Sequence, residues 1–256
     1  MLLFDLGNSR CKWAWVENGI WLRQGVLGNK DEAAWHELKT SFAELASPGQ
    51  ILFSNVADEV FERRLLALSG IWNCPVKKVV AQASQCGVIN AYEHPAQLGS
   101  DRWAALIAAW DQARQACLVV NCGTATTVDA LSDTGKFLGG LILPGIELMR
   151  RCLLDGTSRL RQEISSVSGR RHDFPTNTAD AISSGVLLAT TGAIRQQHAL
   201  LAEKYSVRCI VSGGAADILL PHLGFQAERV ENIVLRGMQL IGQDCLINTA
   251  KEMVSR

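Results

Sequence analysis

A short apolar run ending in a polar, glycine-containing turn occurs twice in this chain, and that recurrence limits the fold more than any other feature. Phe4-Asp5-Leu6-Gly7-Asn8-Ser9 and Val120-Asn121-Cys122-Gly123-Thr124-Ala125 match at an offset of 116 residues, with acid or amide, glycine, and small polar residues in the same order. Self-similarity at a fixed offset points to duplicated units. Two six-residue stretches also align by chance, so the surroundings matter, and they repeat too. Residues 2–6, 11–17 and 20–27 read as a three-strand meander with Asn18-Gly19 as a hairpin turn. Residues 118–121, a strand running to Leu131, and 136–143 read as a second meander with a turn at Asp133-Thr134-Gly135. Helices over 31–46 and 58–68 alternate with strands at 51–53 and 76–80, and a helix over about 100–115 follows with Ser100 as its N-cap. Later come helices near 145–154 and 178–203, a strand at 208–211 and a helix near 231–248. The expected class is α/β in two domains, 1–116 and 117–256, which suits a length of 256 residues.

Composition removes several classes of partner. Lys+Arg and Asp+Glu are both 25, so no basic footprint for nucleic acid or a membrane surface is present. No apolar run approaches the length of a membrane span, and Met1-Leu-Leu-Phe-Asp5 lacks the basic and apolar regions of a secretory signal. The eight cysteines form no Cys-x-x-Cys and no zinc spacing with histidine, and most lie in apolar runs, as buried thiols in a reducing compartment do. A cytoplasmic protein is expected. The seven tryptophans, all between residues 13 and 110, read as packing residues.

Neither glycine turn leads into Gly-Lys-Ser/Thr before a helix, and no Gly-x-Gly-x-x-Gly opens a helix after a strand, so Walker and Rossmann phosphate sites are both absent. Strand–turn–strand loops of Gly, Asn, Ser and Thr nevertheless offer backbone N–H groups to phosphate oxygens. An ordinary hairpin turn has the same composition. Asp5 before the first turn and Lys12 after it shift the balance, since a carboxylate can hold hydrated magnesium and a lysine can return to the same phosphates. Lys12 also fits a solvated strand face. Asp101 falls in a first helical turn, where the macrodipole favours its anion, and Arg102 supplies a fork for a carboxylate. Helix capping would explain Asp101 as well. Ser212-Gly213-Gly214 suits either close approach to a flat ligand or tight strand–helix packing.

Taken together, the segments Asp5-Leu-Gly-Asn-Ser9 with Lys12, Asn90-Ala-Tyr92 through Pro95 to Leu98-Gly-Ser-Asp-Arg-Trp103, Gly123-Thr-Ala-Thr-Thr127, Gly139-Gly140 through Pro144-Gly145, Asn177-Thr178 and Ser212-Gly-Gly214 resemble the type III pantothenate kinases, the family that includes the Bvg accessory factor proteins. The resemblance spans nearly the whole chain. It implies two duplicated ribonuclease-H-like domains of the acetate and sugar kinase, chaperone ATPase and actin superfamily. It also implies homodimers and ATP-dependent phosphorylation of pantothenate to 4′-phosphopantothenate, the first step of coenzyme A synthesis. Carried over by position, Asp5, Leu6, Gly7, Asn8, Ser9, Arg10, Cys11 and Lys12 form the first phosphate loop, with Asp5 near Mg²⁺ through water in the family's pattern. Thr124 becomes the second phosphate contact, and Gly213 with Gly214 the adenosine side. Tyr92, Gly99, Ser100, Asp101 and Arg102 become the pantothenate site, Asp101 the base, and Thr178 a substrate contact across the dimer. Where many members have aspartate, this chain has Asn121, which bears on a monovalent cation, K⁺ or NH₄⁺. A nonenzymatic ATP-binding regulator and a kinase for another small hydroxy acid or sugar are the competing readings.

Overall fold

The structure, a computed structural model, describes residues 1–156 and 169–254. The chain forms two compact units, Met1–Gln112 with Asn232–Arg256, and Ala113–Glu231. The break thus falls a few residues before the boundary expected at 116, and the segment from Asn232 onward joins the first unit instead of the second.

In the first unit, β1 (Leu2–Leu6), β2 (Arg10–Glu17) and β3 (Ile20–Gly28) form the expected antiparallel meander, and β4 (Ile51–Asn55) and β5 (Val76–Lys78) add parallel strands beside β1. The strand order is β3-β2-β1-β4-β5. Asn18 and Gly19 both have positive φ, 49° and 82°, as a type I′ hairpin turn requires. Helices α1 (Glu32–Ala43) and α2 (Glu59–Ser69) start at Asp31 and Asp58, whose carboxylates accept from the Ala34 and Val60 N–H groups. Their apolar faces meet Leu2, Phe4, Leu6, Ile51 and Phe53 in one core. Phe42 is the hub of that core: Trp13 meets it edge-on at 5.0 Å and Trp15 lies at 5.8 Å, so these tryptophans are packing residues.

A short hairpin, β6 (Ser84–Gln85) and β7 (Val88–Asn90), turns at Cys86-Gly87 and precedes α3 (Ser100–Ala113). The sequence reading missed this hairpin. Its turn also has positive φ at both central residues, 51° and 82°, but with cysteine in place of the usual asparagine or aspartate.

The second unit repeats the plan. β8 (Cys117–Cys122), β9 (Ala125–Leu131) and β10 (Lys136–Pro144) form an antiparallel meander, and β11 (Arg208–Ser212) and β12 (Glu228–Arg229) run parallel to β8. Both units are ribonuclease-H-like. The offset of 116 holds through Gly7 and Gly123 and then becomes 115, because the second turn is one residue shorter: Gly7 N–H donates to Arg10 C=O, whereas Gly123 N–H donates to Ala125 C=O. Helices α4 (Ile146–Gly156), α5 (Thr178–Ala202) and α6 (Ala216–Leu219) follow, and Leu187, Ile194 and Leu219 pack with Leu118, Val120 and Val211.

The final helix, α7 (Ile233–Val254), belongs to the first unit. Gly237 lies so close to α3 that a Cβ there would meet Ala104 C=O at 1.8 Å. All eight cysteines are free. Burial pushes the Cys117, Cys122 and Cys209 thiols up to about 12, which makes them unreactive structural groups. No described helix is long and apolar enough to cross a membrane.

Candidate active site

Asp5 sits near the end of β1, directly opposite Lys12 on β2 and in register with Ser54 on parallel β4. Directly opposed residues of an antiparallel pair project on the same face, so strand pairing brings the carboxylate and the ammonium together. Beyond Asp5 the chain turns through Gly7, Asn8 and Ser9, with Asn8, Ser9 and Arg10 exposed. Leu6 and Cys11 are fully buried in the core, so of these two expected ATP contacts only the backbone is available. Asn29, at the end of β3, reaches back over the turn: its N–H donates to Ser9 C=O at 3.1 Å and its side-chain Nδ2 to Gly7 C=O at 2.5 Å. An open cavity of about 540 Å³ lies beside the turn, lined by Asn8, Ser9, Gly28, Asn29, Lys30 and Asp31.

The start of α3 supplies the second cluster of the first unit. Gly99 C=O accepts from Trp103 N–H at 2.9 Å, so Gly99 occupies the N-cap position expected for Ser100. The Ser100 hydroxyl instead meets Ser54 Oγ at 2.8 Å, and both side chains are buried. Asp101 folds back over Gly99. Its Oδ1 accepts from Arg102 N–H at 2.8 Å, and a Cβ on Gly99 would lie 2.6 Å from that oxygen. A side chain at residue 99 would therefore push the Asp101 carboxylate aside. Arg102 is 5% exposed and donates from Nη1 to the Tyr92 hydroxyl at 3.0 Å, its guanidinium 5.9 Å from the Tyr92 ring centre. Tyr92 is held in turn by its N–H donating to Asn90 Oδ1, and Asn90 Nδ2 donates to Pro95 C=O.

Electrostatics ties the two clusters together. Burial first, and Asp101 second, push the Asp5 carboxyl up to about 7, while Lys12 pulls it down. Asp101 is also raised, chiefly by burial, against the pull of the Arg102 N–H and guanidinium. Burial thus outweighs the place in the first helical turn, where the macrodipole favours the Asp101 anion. Two crowded carboxylates beside a polar turn are hard oxygen donors, the chemistry a magnesium ion accompanying a nucleotide prefers. The residues present thus fit that ion.

In the second unit Asn121 takes the place of Asp5 on the equivalent strand, with Thr127 and Ser212 as its register neighbours. Thr124 forms the short turn. Gly145 N–H donates to Thr124 C=O at 2.8 Å, and a Cβ on Gly145 would meet Gly123 C=O at 2.3 Å, which explains Pro144-Gly145 as a backstop to the loop. Gly213 has φ +96° and would bring a Cβ within 2.3 Å of Cys122 C=O, so tight packing accounts for it; Gly214 has nothing within 4 Å, and its backbone lies open. Thr178 opens α5 just after the N-cap Asn177, whose side chain accepts from Asp180 N–H. Residues 169–177 lie along that helix, with Arg170 N–H on Asp180 and His172 N–H on the Ser184 hydroxyl. Arg171, exposed, meets Asp173 and His222.

Asn29 and Ser54 were invisible as site residues in the sequence. Gly28-Asn29 reads as a strand end before a helix cap, and Ser54 as one more strand residue. Only the register of β1, β3 and β4 shows what they touch.

A family model described as type III pantothenate kinase matches residues 1–199. The type III pantothenate kinase of Nitrosospira multiformis is 44% identical over 246 residues, covering 95% of this chain and 91% of that one. That of Thiobacillus denitrificans is 42% identical over 244 residues, covering 94% and 96%. Among solved structures, a conserved Campylobacter jejuni protein assigned to the Baf family of transcriptional activators superposes with a TM-score of 0.59 at 22% identity, covering 96% and 98%. The activator of 2-hydroxyisocaproyl-CoA dehydratase from Clostridium difficile, with bound ADPNP, gives 0.54 at 9% identity over 100% and 97%. At such identities these two likenesses establish the fold alone.

Proposed function

The chain belongs to the type III pantothenate kinase family, and from that premise we propose how its residues transfer a phosphoryl group from ATP to pantothenate in coenzyme A biosynthesis. One observation carries the assignment: a single unit gathers Asp5, Lys12 and Asp101 closely enough for Asp5 to feel both other charges. The turn after β1 holds the triphosphate, with Asn8 to Arg10 offering exposed backbone and Lys12 a point charge. Asp5 would hold the magnesium that accompanies ATP, through water, and that ion would neutralise charge on the phosphates. Within the second unit, Thr124 and the open backbone at Gly214 offer a hydroxyl and N–H groups suited to nucleotide.

Asp101 accepts a hydrogen bond from the primary hydroxyl of pantothenate and takes its proton late, as a loose phosphoryl-transfer transition state allows. A carboxylate raised by burial accepts that proton more readily once ionised, and its Arg102 N–H bond fixes its direction. Arg102, braced by Tyr92, recognises the pantothenate carboxylate as a planar fork. Thr178 contacts substrate from a partner subunit of a cytoplasmic homodimer. Asn121 offers an amide oxygen to a monovalent cation without adding negative charge, so potassium activates weakly and Asn121→Asp strengthens the response in a potassium titration.

The test is direct. Purified protein with ATP, magnesium and a panel of hydroxy acids and sugars should phosphorylate pantothenate alone, and Asp101→Asn should fold, bind ATP and lose about 100-fold or more in turnover. Transfer to a sugar, binding without transfer, or near-parental turnover of the variant would each overturn the assignment.

A further inference from the structure

The end of β3 holds a residue that neither the motifs nor the transfer chemistry accounts for. Asn29 is 1% exposed, yet it makes two separate bonds to the turn after β1, its N–H to Ser9 C=O at 3.1 Å and its Nδ2 to Gly7 C=O at 2.5 Å. It thus grips the carbonyls on both sides of Asn8. Its own C=O accepts from Arg64 Nη1 at 2.5 Å, and that guanidinium also meets Glu32 and lies 5.7 Å from the Trp35 ring centre. The grip is therefore anchored to α1 and α2. Meanwhile Asn29 Oδ1 is buried with no hydrogen-bond partner among the described residues. An amide satisfied on one side only is a poor choice for stability alone.

We infer that Asn29 is a positioning residue for the phosphate turn, an inference that rests on the reading of Asp5 to Lys12 as that turn. A trans peptide is planar, with its C=O and N–H pointing opposite ways. Capturing Gly7 C=O therefore turns the Asn8 N–H away from Asn29, toward the exposed side of the turn, before any nucleotide arrives. Pre-orientation of this kind removes an ordering cost from ATP binding and has no bearing on pantothenate.

The experiment compares wild type, Asn29→Ala, Asn29→Asp and Lys12→Ala in steady-state assays varying MgATP and pantothenate separately. Asparagine and aspartate have the same shape, but aspartate has no donor for Gly7 C=O. Both Asn29 variants should raise the KM for MgATP by about tenfold or more, with the KM for pantothenate within about twofold of wild type. If Lys12→Ala leaves the MgATP KM unmoved, the turn is not the phosphate site, and the positioning role falls with it. If Lys12→Ala raises that KM while Asn29→Ala does not, or if both KM values rise equally in Asn29→Ala, the positioning role alone is refuted. Should the variants not fold, proton exchange by NMR in the wild type decides: the Asn29 side-chain amide should exchange slowly without ligand, and the Asn8 amide should become protected only with MgATP analogue. Rapid exchange at Asn29 overturns the role.

Discussion

Replacing Asp5 with asparagine should make the protein more stable while disabling it. Burial and Asp101 push the Asp5 carboxyl from an ordinary 3.8 up to about 7. In the unfolded chain the same group titrates near 4. The folded state therefore keeps a proton that the unfolded state has released, and stability falls as pH rises from about 4 through about 7, then levels off. Roughly three units at about 1.4 kcal/mol each set an upper bound near 4 kcal/mol at pH 8. Asp5 retains some contact with water, so about 2–4 kcal/mol is the working range. Asparagine preserves the shape and cannot ionise. Apo Asp5→Asn should then unfold roughly 4–16 °C above wild type at pH 8, at about 2–4 °C per kcal/mol for a chain of this size. The gap should shrink to about 1–2 kcal/mol at pH 5 and nearly vanish by pH 4. Thermal unfolding of both proteins across that range, at fixed salt and without nucleotide, measures it. A variant no more stable than wild type at pH 8, or a gap independent of pH, would refute the electrostatic account of this site.

Other outcomes follow from close contacts. Gly99→Ala would place a methyl 2.6 Å from Asp101 Oδ1; turnover should drop about tenfold or more, with the MgATP KM and melting temperature little changed, and unaltered turnover would show that the carboxylate has room elsewhere. Gly237→Ala drives a methyl into Ala104 C=O at 1.8 Å; overpacking of up to about 3 kcal/mol, offset by about 1 kcal/mol of helix propensity, lowers the melting temperature by roughly 4–8 °C. A neutral or raised melting temperature would mean that α3 and α7 part freely.

Local rules made much of the fold legible. The repeated turn and the Asn18-Gly19 hairpin are each encoded within a few residues, and both formed where local chemistry put them. What the sequence concealed depends on partners far along the chain. Nothing local reveals that α7 packs on α3, since its apolar residues suit either half. The Ser100 hydroxyl looked free to cap α3 because its rival, Ser54, lies on another strand. Gly99 was legible as part of a motif but not as the space Asp101 needs. In Gly213 and Gly214 one reading concealed two: packing accounts for the first and leaves the second open.

The first unit is discontinuous, and this matters during synthesis. The stretch from Ala113 to Glu231 is complete while the chain is still growing, and it can fold as soon as it emerges from the ribosome. Residues 1–112 emerge earlier but lack α7 until the segment from Ile233 onward has also been made. A chain broken between Glu231 and α7 would thus harm the unit bearing Asp5 and Asp101 and spare the unit nearer the break.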